Sequence, residues 1–341
     1  NISLNVGIDG SLMNGKIDFV LDVYDRTTDG LLFNPVLPAT AGSASPPFVN
    51  IAKMQNRGVD FAVNYRDKSS SNFSWNVGFN ISHYRNEILE IDGARTEFFS
   101  ANNNSRIGQT GFNEIGGPIG VFYGWQTDGI FRSQAEVDAH AEQNGKAVGQ
   151  LRLKDLNGDG VIDDDDLGNI GSPHPDFTGG LNAGVNFGDF DITMFWIFSV
   201  GNEIYNYNKL FEVFRFFNTN VRKDLLDRAF DPDTNPNGDI PLINEDDIFS
   251  ENSTDFYVED GSYARMRTLQ LGYTLNSELC QKIGLENARI YLQGQNLLTF
   301  TKYSGIDPAL SSFRRGDQRR GFDYGNYPQS KIIQFGISAG F

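Results

Sequence analysis

The chain has 341 residues, with 44 acidic against 28 basic side chains and a formal net charge of −16. That balance excludes a nucleic-acid binder, which needs a basic surface to displace phosphate counterions. A single cysteine excludes an internal disulfide and, with only three histidines, argues against a Cys/His zinc centre. No run reaches the ~18 consecutive apolar residues of a spanning helix.

In chain order, Ile2, Leu4, Val6 and Ile8 alternate with polar residues, and Ile17, Phe19, Leu21 and Val23 repeat the pattern after a short turn over 10–15. Period-two alternation bounded by turn residues is the signature of strands with two unlike faces. A long connection over 26–56 precedes strands at Val59 to Tyr65 and Phe73 to Ile81, joined by a short turn over 67–71. A second long segment, 85–176, holds two candidate extra strands, Ile119 to Thr127 and Gln150 to Lys154, around a helix-like polar run from Ser133 to Gln143. After it come two runs meeting at Gly188-Asp189. A two-residue turn there sets Phe187 opposite Phe190, Val185 opposite Ile192, Ala183 opposite Met194 and Leu181 opposite Trp196. One face of this hairpin is wholly apolar, while the other carries Asn182, Gly184 and Asn186. Alternation returns after the irregular stretch 201–262, at Tyr263 to Leu275, Ala288 to Asn296 and Lys331 to Phe341, with 298–330 as a last long loop.

An apolar outer face, a polar or tiny inner face and short turns alternating with long loops describe an all-β transmembrane antiparallel β-barrel. Phe and Tyr, 28 and 13 of the residues, are abundant enough to supply interfacial girdles. Parity fixes the count: segment 85–176 begins and ends outside, so it contains none or two spanning strands and the total is nine or eleven. The chain opens at Asn1 inside an alternating run, which suits the C-terminal part of a larger barrel. The same alternation also fits a β-sandwich, and a secreted, calcium-stabilised adhesin is the alternative reading.

The strongest local motif runs from Asp155 to Asp166. It places oxygens where a calcium loop needs them: Asp155, Asn157 and Asp159, then the Val161 carbonyl, Asp163, and Asp166 at the closing position, with Gly160 at the sharp bend. Hard oxygen donors at this spacing point to a divalent cation, Ca²⁺ ahead of Mg²⁺; the shorter Asp at the last position weakens bidentate closure. A solvated Asn-Gly, Asp-Gly turn is the alternative. Gly336 to Gly340 satisfies G-x-S-x-G around Ser338, yet neither a helix nor a later histidine follows, so no catalytic residue is expected. Asp246 and Asp247 form an acidic pair that nothing distinguishes from other acidic loop residues. Aromatic residues crowd the loop after the hairpin. Tyr205, Tyr207, Phe211, Phe214, Phe216 and Phe217 are candidates either for contact with a substrate or lid, or for the buried side of a folded loop.

Six stretches carry a resemblance: YDRTTDGLL (24–32), NIAKMQNRGVDF (50–61), IGGPIGVFYGWQTDGIF (115–131), LKDLNGDGVIDDDD with IGSPHPDFTGGLN (153–182), VEDGSYARMRTLQLGYTL (258–275) and ARIYLQGQNLLTFTKYSGIDPAL (288–310). In this order they resemble the SusC/RagA-like TonB-dependent transporters of Gram-negative outer membranes. The resemblance implies the C-terminal part of a ~22-stranded barrel whose plug domain is absent here. It also implies a non-enzymatic importer of oligosaccharides or peptides, in contact with outer-membrane lipid and energised by TonB-ExbB-ExbD through that plug. A SusD-like surface lipoprotein would act as lid, and Phe341 would be the C-terminal residue used in barrel assembly. Asp60 stands where the family usually has Glu, and 135–149 is variable ground.

Overall fold

The computed structural model describes residues 1–33, 49–70, 72–91, 96–99, 107–214, 220–242, 252–309 and 320–340. Nine long strands follow one another across a single antiparallel sheet. They are β1 (Ile2–Leu12), β2 (Ile17–Phe33), β3 (Val49–Ser70), β4 (Phe73–Glu90), β5 (Phe177–Phe187), β6 (Phe190–Val200), β7 (Tyr263–Thr274), β8 (Asn287–Gln295) and β9 (Ile332–Gly340). The short strand Thr299–Thr301 adds to β7 beyond the end of β8.

The hairpin β5–β6 has the expected register, Phe187 with Phe190 through Leu181 with Trp196. Gly188 sits at φ 57°, the left-handed region a two-residue turn requires. Down the sheet the two faces differ as the alternation demands. Ile2, Leu4, Val6, Phe187, Phe190, Leu292, Ile333, Phe335 and Ile337 are all exposed on one side, Ile333 at 74% and Phe187 at 67%. The opposite side is lined by Asp22, Asn64, Asn182, Asp191 and Arg289, packed against glycines. At Gly78 the fit is tight: a Cβ there would lie 2.2 Å from Asn64 Oδ1 and 2.3 Å from Asn182 Oδ1. The Arg289 guanidinium meets Asp191 at 2.6 and 3.0 Å across this face.

The buried apolar core lies elsewhere. Among the described residues only Ile88 and Ala288 of that core belong to the nine strands. Phe122, Tyr205, Tyr207, Leu210, Phe214, Leu225, Tyr257 and Phe322 form its largest cluster, and all come from the long connections. Three loops thereby fuse into one cap: Phe122 of the first lies 5.7 Å from Tyr205 of the second and 5.0 Å from Phe322 of the third. A small sheet repeats this joining, with Glu203–Asn206 antiparallel to Val258–Asp260 and parallel to Phe322–Asp323. A wall that buries little and a cap that buries much is the inverse of a soluble sandwich, whose sheets enclose the core between them.

Among the described residues, the segment between β4 and β5 adds no strand to the wall, because β4 pairs directly with β5. Its strands join two small separate sheets instead: Val121–Trp125 lies beside Leu167–Gly171 and Gly111–Glu114, and Leu151–Leu153 beside Thr127–Ile130. The polar run after Ser133 is a helix, Gln134–Ala139, with the Ser133 side chain capping it. The expected loop 26–56 is corrected: pairing continues from Arg26 with Asn56 to Phe33 with Val49, so only 34–48 lies between strands. Likewise β4 runs on to Glu90. These extensions exceed the ~9 to 11 residues that a bilayer requires. Once both faces are wet, alternation is no longer demanded, so the sequence loses its period while the backbone ladder continues. Gln55 and Arg57 both donate to the Asp25 carboxylate at the start of this zone. Among the described residues no helix is long and apolar enough to cross a membrane, which leaves strand crossing untouched.

Candidate functional site

Above the polar face, where strand ends meet the cap, lies a cavity of about 930 Å³. The wall supplies Met54 and Asn56 from β3, Tyr84 and Asn86 from β4, Thr178 from β5, Ile197 and Ser199 from β6, and Tyr263 and Arg267 from β7. The cap supplies Ile119, His174, Asn202, Pro308, Arg320 and Gln329 among others.

Arg267 reaches the cavity through an irregularity. Phe195 pairs with Thr268 but Trp196 with Met266, so Arg267 is an extra residue between them. A bulge of this kind re-aims a side chain. Its Nη1 donates to Asn296 Oδ1 at 3.1 Å and to Gln329 Oε1. Two residues earlier, Arg265 is buried and meets Asp307 at 2.5 Å, also donating to Thr299. Burial works against ionisation of Asp307, yet Arg265 and the N–H groups of Gln329 and Ala309 hold its carboxyl below the usual range. This pair fixes the loop that carries Pro308 over the cavity.

A second chain of bonds spans wall and cap. Arg320 Nη1 donates to the Tyr84 hydroxyl at 2.7 Å, and Tyr84 lies 3.2 Å from His174 Nδ1. His174 Nε2 lies 2.7 Å from the Ile119 carbonyl, which only accepts, so the ring proton sits on Nε2 and Nδ1 accepts from Tyr84. The cap is fastened by Lys209, 3.0 Å from Glu259 and donating to the Phe256 carbonyl; burial pulls its ammonium below its ordinary range.

The aromatic candidates separate. Tyr205, Tyr207 and Phe214 are buried in the cap core, where burial also pushes the Tyr205 phenol up. Tyr205 stacks on Tyr257 at 5.4 Å. The rings of these three are covered by cap residues in this structure. Phe211 is partly exposed at 39%, and Phe216, Phe217, Asp246, Asp247 and Phe341 lie outside the described residues.

In the loop 155–166, Asp155 accepts from the N–H groups of Gly158 and Gly160 at 2.6 and 2.8 Å, and Asp159 from Val161 at 2.9 Å. Asp163 caps the turn Asp164–Asp166, and buried Asp166 accepts from Leu156 at 2.7 Å and from Asp163 at 3.1 Å. Among the described residues no three acidic, His or Cys side chains gather as a metal-holding group. The donor set suits a hard cation by chemistry, while here its carboxylates close the loop on its own backbone. Ser338 lies on β9 in register with Arg289, far from any elbow geometry.

A one-sided strand wall, a polar inner face and a capped vestibule define a transmembrane-type β-barrel segment. Residues 1–297 match the family model described as TonB dependent receptor-like, beta-barrel, and the chain belongs to that family. It is 34% identical to the TonB-dependent receptor P3 of Formosa agariphila, over 99% of this chain and 34% of the relative. It is 25% identical to the TonB-dependent receptor SusC of Bacteroides thetaiotaomicron, over 99% of this chain and 31% of that one. Among solved structures, the RagAB peptide importer in its closed-closed state matches with a TM-score of 0.78 at 24% identity, covering 99% of this chain and 35% of that chain. The chain thus spans about a third of the length of the relatives it matches.

Proposed function

We propose that this chain forms the C-terminal part of a SusC-like outer-membrane importer, energised by TonB and taking up oligosaccharides or peptides under a SusD-like lipoprotein lid. The observation that carries the reading is the pairing of an exposed apolar band with a polar face that opens into a roofed cavity. Lipid covers the band, and water and cargo occupy the polar side. The names of the SusC and RagAB relatives support this direction. The test is uptake of labelled glycans and peptides by cells with and without the gene and with and without TonB, together with co-purification of a surface lipoprotein. Loss of uptake in both deletions is expected; a water-soluble protein, or uptake indifferent to TonB, would overturn the reading.

The reading includes a divalent cation, calcium before magnesium, in the loop 155–166, where it would stiffen the cap from outside the barrel. Asp155, Asn157, Asp159, the Val161 carbonyl, Asp163 and Asp166 are the donors, on the strength of six hard oxygens at calcium-loop spacing. Calorimetric titration with calcium should show one site that Asp155→Ala abolishes, and absence of heat at millimolar calcium would refute it.

A further inference from the structure

The charged groups around the cavity are of one sign. Arg267 and Arg320 both line it, and among its described lining residues there is no Asp or Glu. In a chain with 44 acidic residues this exclusion is local, since Asp22 and Asp191 stand on the same polar face nearer the short turns. Among the described residues neither arginine has a carboxylate partner. Arg267 uses Nη1 on two neutral amides, and Arg320 uses Nη1 on the Tyr84 hydroxyl. Each guanidinium offers five donors in a planar fork, so most of its donors remain for a ligand. The nearby arginine Arg265, by contrast, is neutralised by Asp307. Two cations held in place by neutral partners, in a partly enclosed site, are arranged to receive negative charge.

We infer that the cavity binds an acidic oligosaccharide, one bearing carboxylate or sulfate groups, with Arg267 and Arg320 as the anion-reading residues. This rests on the importer reading above for the route by which such a ligand passes. The rest of the lining favours sugar over peptide. Asn56, Asn202 and Gln329 have their side-chain oxygens engaged within the protein and turn amide N–H donors to neighbouring hydroxyls, and Tyr263 offers a ring. Extended peptides are commonly read by strand addition to a free sheet edge. The wall strands here, β3 to β7, each have a neighbour on both sides along the sheet, and the end of β4 beyond Ser82, where β5 stops, is met at Ile88 by Gly116 and Gly117 of the cap.

The test uses the transporter purified from its native outer membrane, with a short oligogalacturonate, a sulfated dextran oligomer, a neutral dextran oligomer and a polyglutamate peptide as calorimetric probes. One or both acidic sugars should bind at least tenfold more tightly than the neutral one, and the preference should shrink between ~0.15 and ~1 M salt. Arg267→Gln and Arg320→Gln should each weaken acidic-sugar binding by about tenfold to a hundredfold, with folding verified by heat-modifiable gel mobility. Lys282→Gln, in the distant short turn, should change nothing. Equal binding of neutral and acidic sugars, unaffected arginine variants, or no binding of any probe would overturn the inference, and tighter binding of polyglutamate would overturn the sugar assignment. TonB-dependent uptake of the neutral oligomer, unaltered by either variant, would sink the anion site and leave the importer reading standing. Tight acidic-sugar binding without energised uptake would do the reverse.

Discussion

Replacing Asp307 by Ala should release the loop that roofs the cavity. Arg265 and Asp307 are almost fully buried, at 4% and 8% side-chain exposure, and approach to 2.5 Å. Removing the carboxylate leaves a buried guanidinium with, among the described residues, only Thr299 as acceptor, a situation that costs about 3–5 kcal/mol. It also leaves the N–H groups of Ala309 and Gln329 without acceptors, which adds about 1–3 kcal/mol for each that water cannot reach. Arg265→Met alone should be milder, because Asp307 keeps those two N–H donors. The double variant should be less destabilised than the sum of the singles. Hydrogen exchange of residues 302–309 and 320–331 in the purified protein reads the effect, with β5 and β6 as internal reference. Protection in those segments falling by less than threefold in Asp307→Ala would refute the assignment of this pair as the anchor.

Met194→Arg, at mid-height on the apolar side of β6, should cost about 2–4 kcal/mol in refolding titrations, whereas Thr193→Arg on the polar side should be tolerated. Tyr205→Ala should cost the cap about 3–5 kcal/mol by loss of a fully buried ring, seen as faster proteolysis of the cap while the heat-modifiable barrel band persists. Acid should loosen the cap in a defined direction. Arg228 holds Asp239, and backbone N–H groups hold Asp231, below the ordinary 3.8, and Asp307 is also lowered. Their contribution is complete above that value and is lost as pH falls through the lowered folded-state values. Glu203 has the opposite sign: burial raises it above 4.5, so its contribution fades as pH rises through its folded-state value. Cap protection measured from pH 6 downward should therefore rise slightly as Glu203 takes up its proton and then drop below about pH 4 as the lowered carboxylates are protonated.

The wall was legible in the sequence because lipid imposes the strictest pattern a strand can carry. Phe187 with Phe190 and Leu181 with Trp196 follow from period two and one glycine turn. The outer ends of β2, β3 and β4 were not legible, since water on both faces removes the pattern that marks a strand. The cap core was hidden for another reason: Phe122, Tyr205 and Phe322 lie far apart in the chain and meet only because three loops share one roof. Of the site, the aromatic density after the hairpin is plain in the sequence and its Tyr205, Tyr207 and Phe214 lie in the cap core, while no motif marks Arg267 or Arg320. Arg267 did leave a trace. Met266 and Leu269 both belong to the apolar side, and a spacing of three inside a period-two run marks an extra residue, the bulge that aims Arg267 inward.

Spin labels at Phe187, Phe190, Asn186 and Asp191 in bilayer-reconstituted protein measure the founding assignment of faces. Labels at Phe187 and Phe190 should be accessible to oxygen dissolved in hydrocarbon and shielded from a water-soluble relaxant, and those at Asn186 and Asp191 should show the reverse. The same accessibility on both faces, or the inverted pattern, would contradict a wall with lipid on one side and cargo on the other.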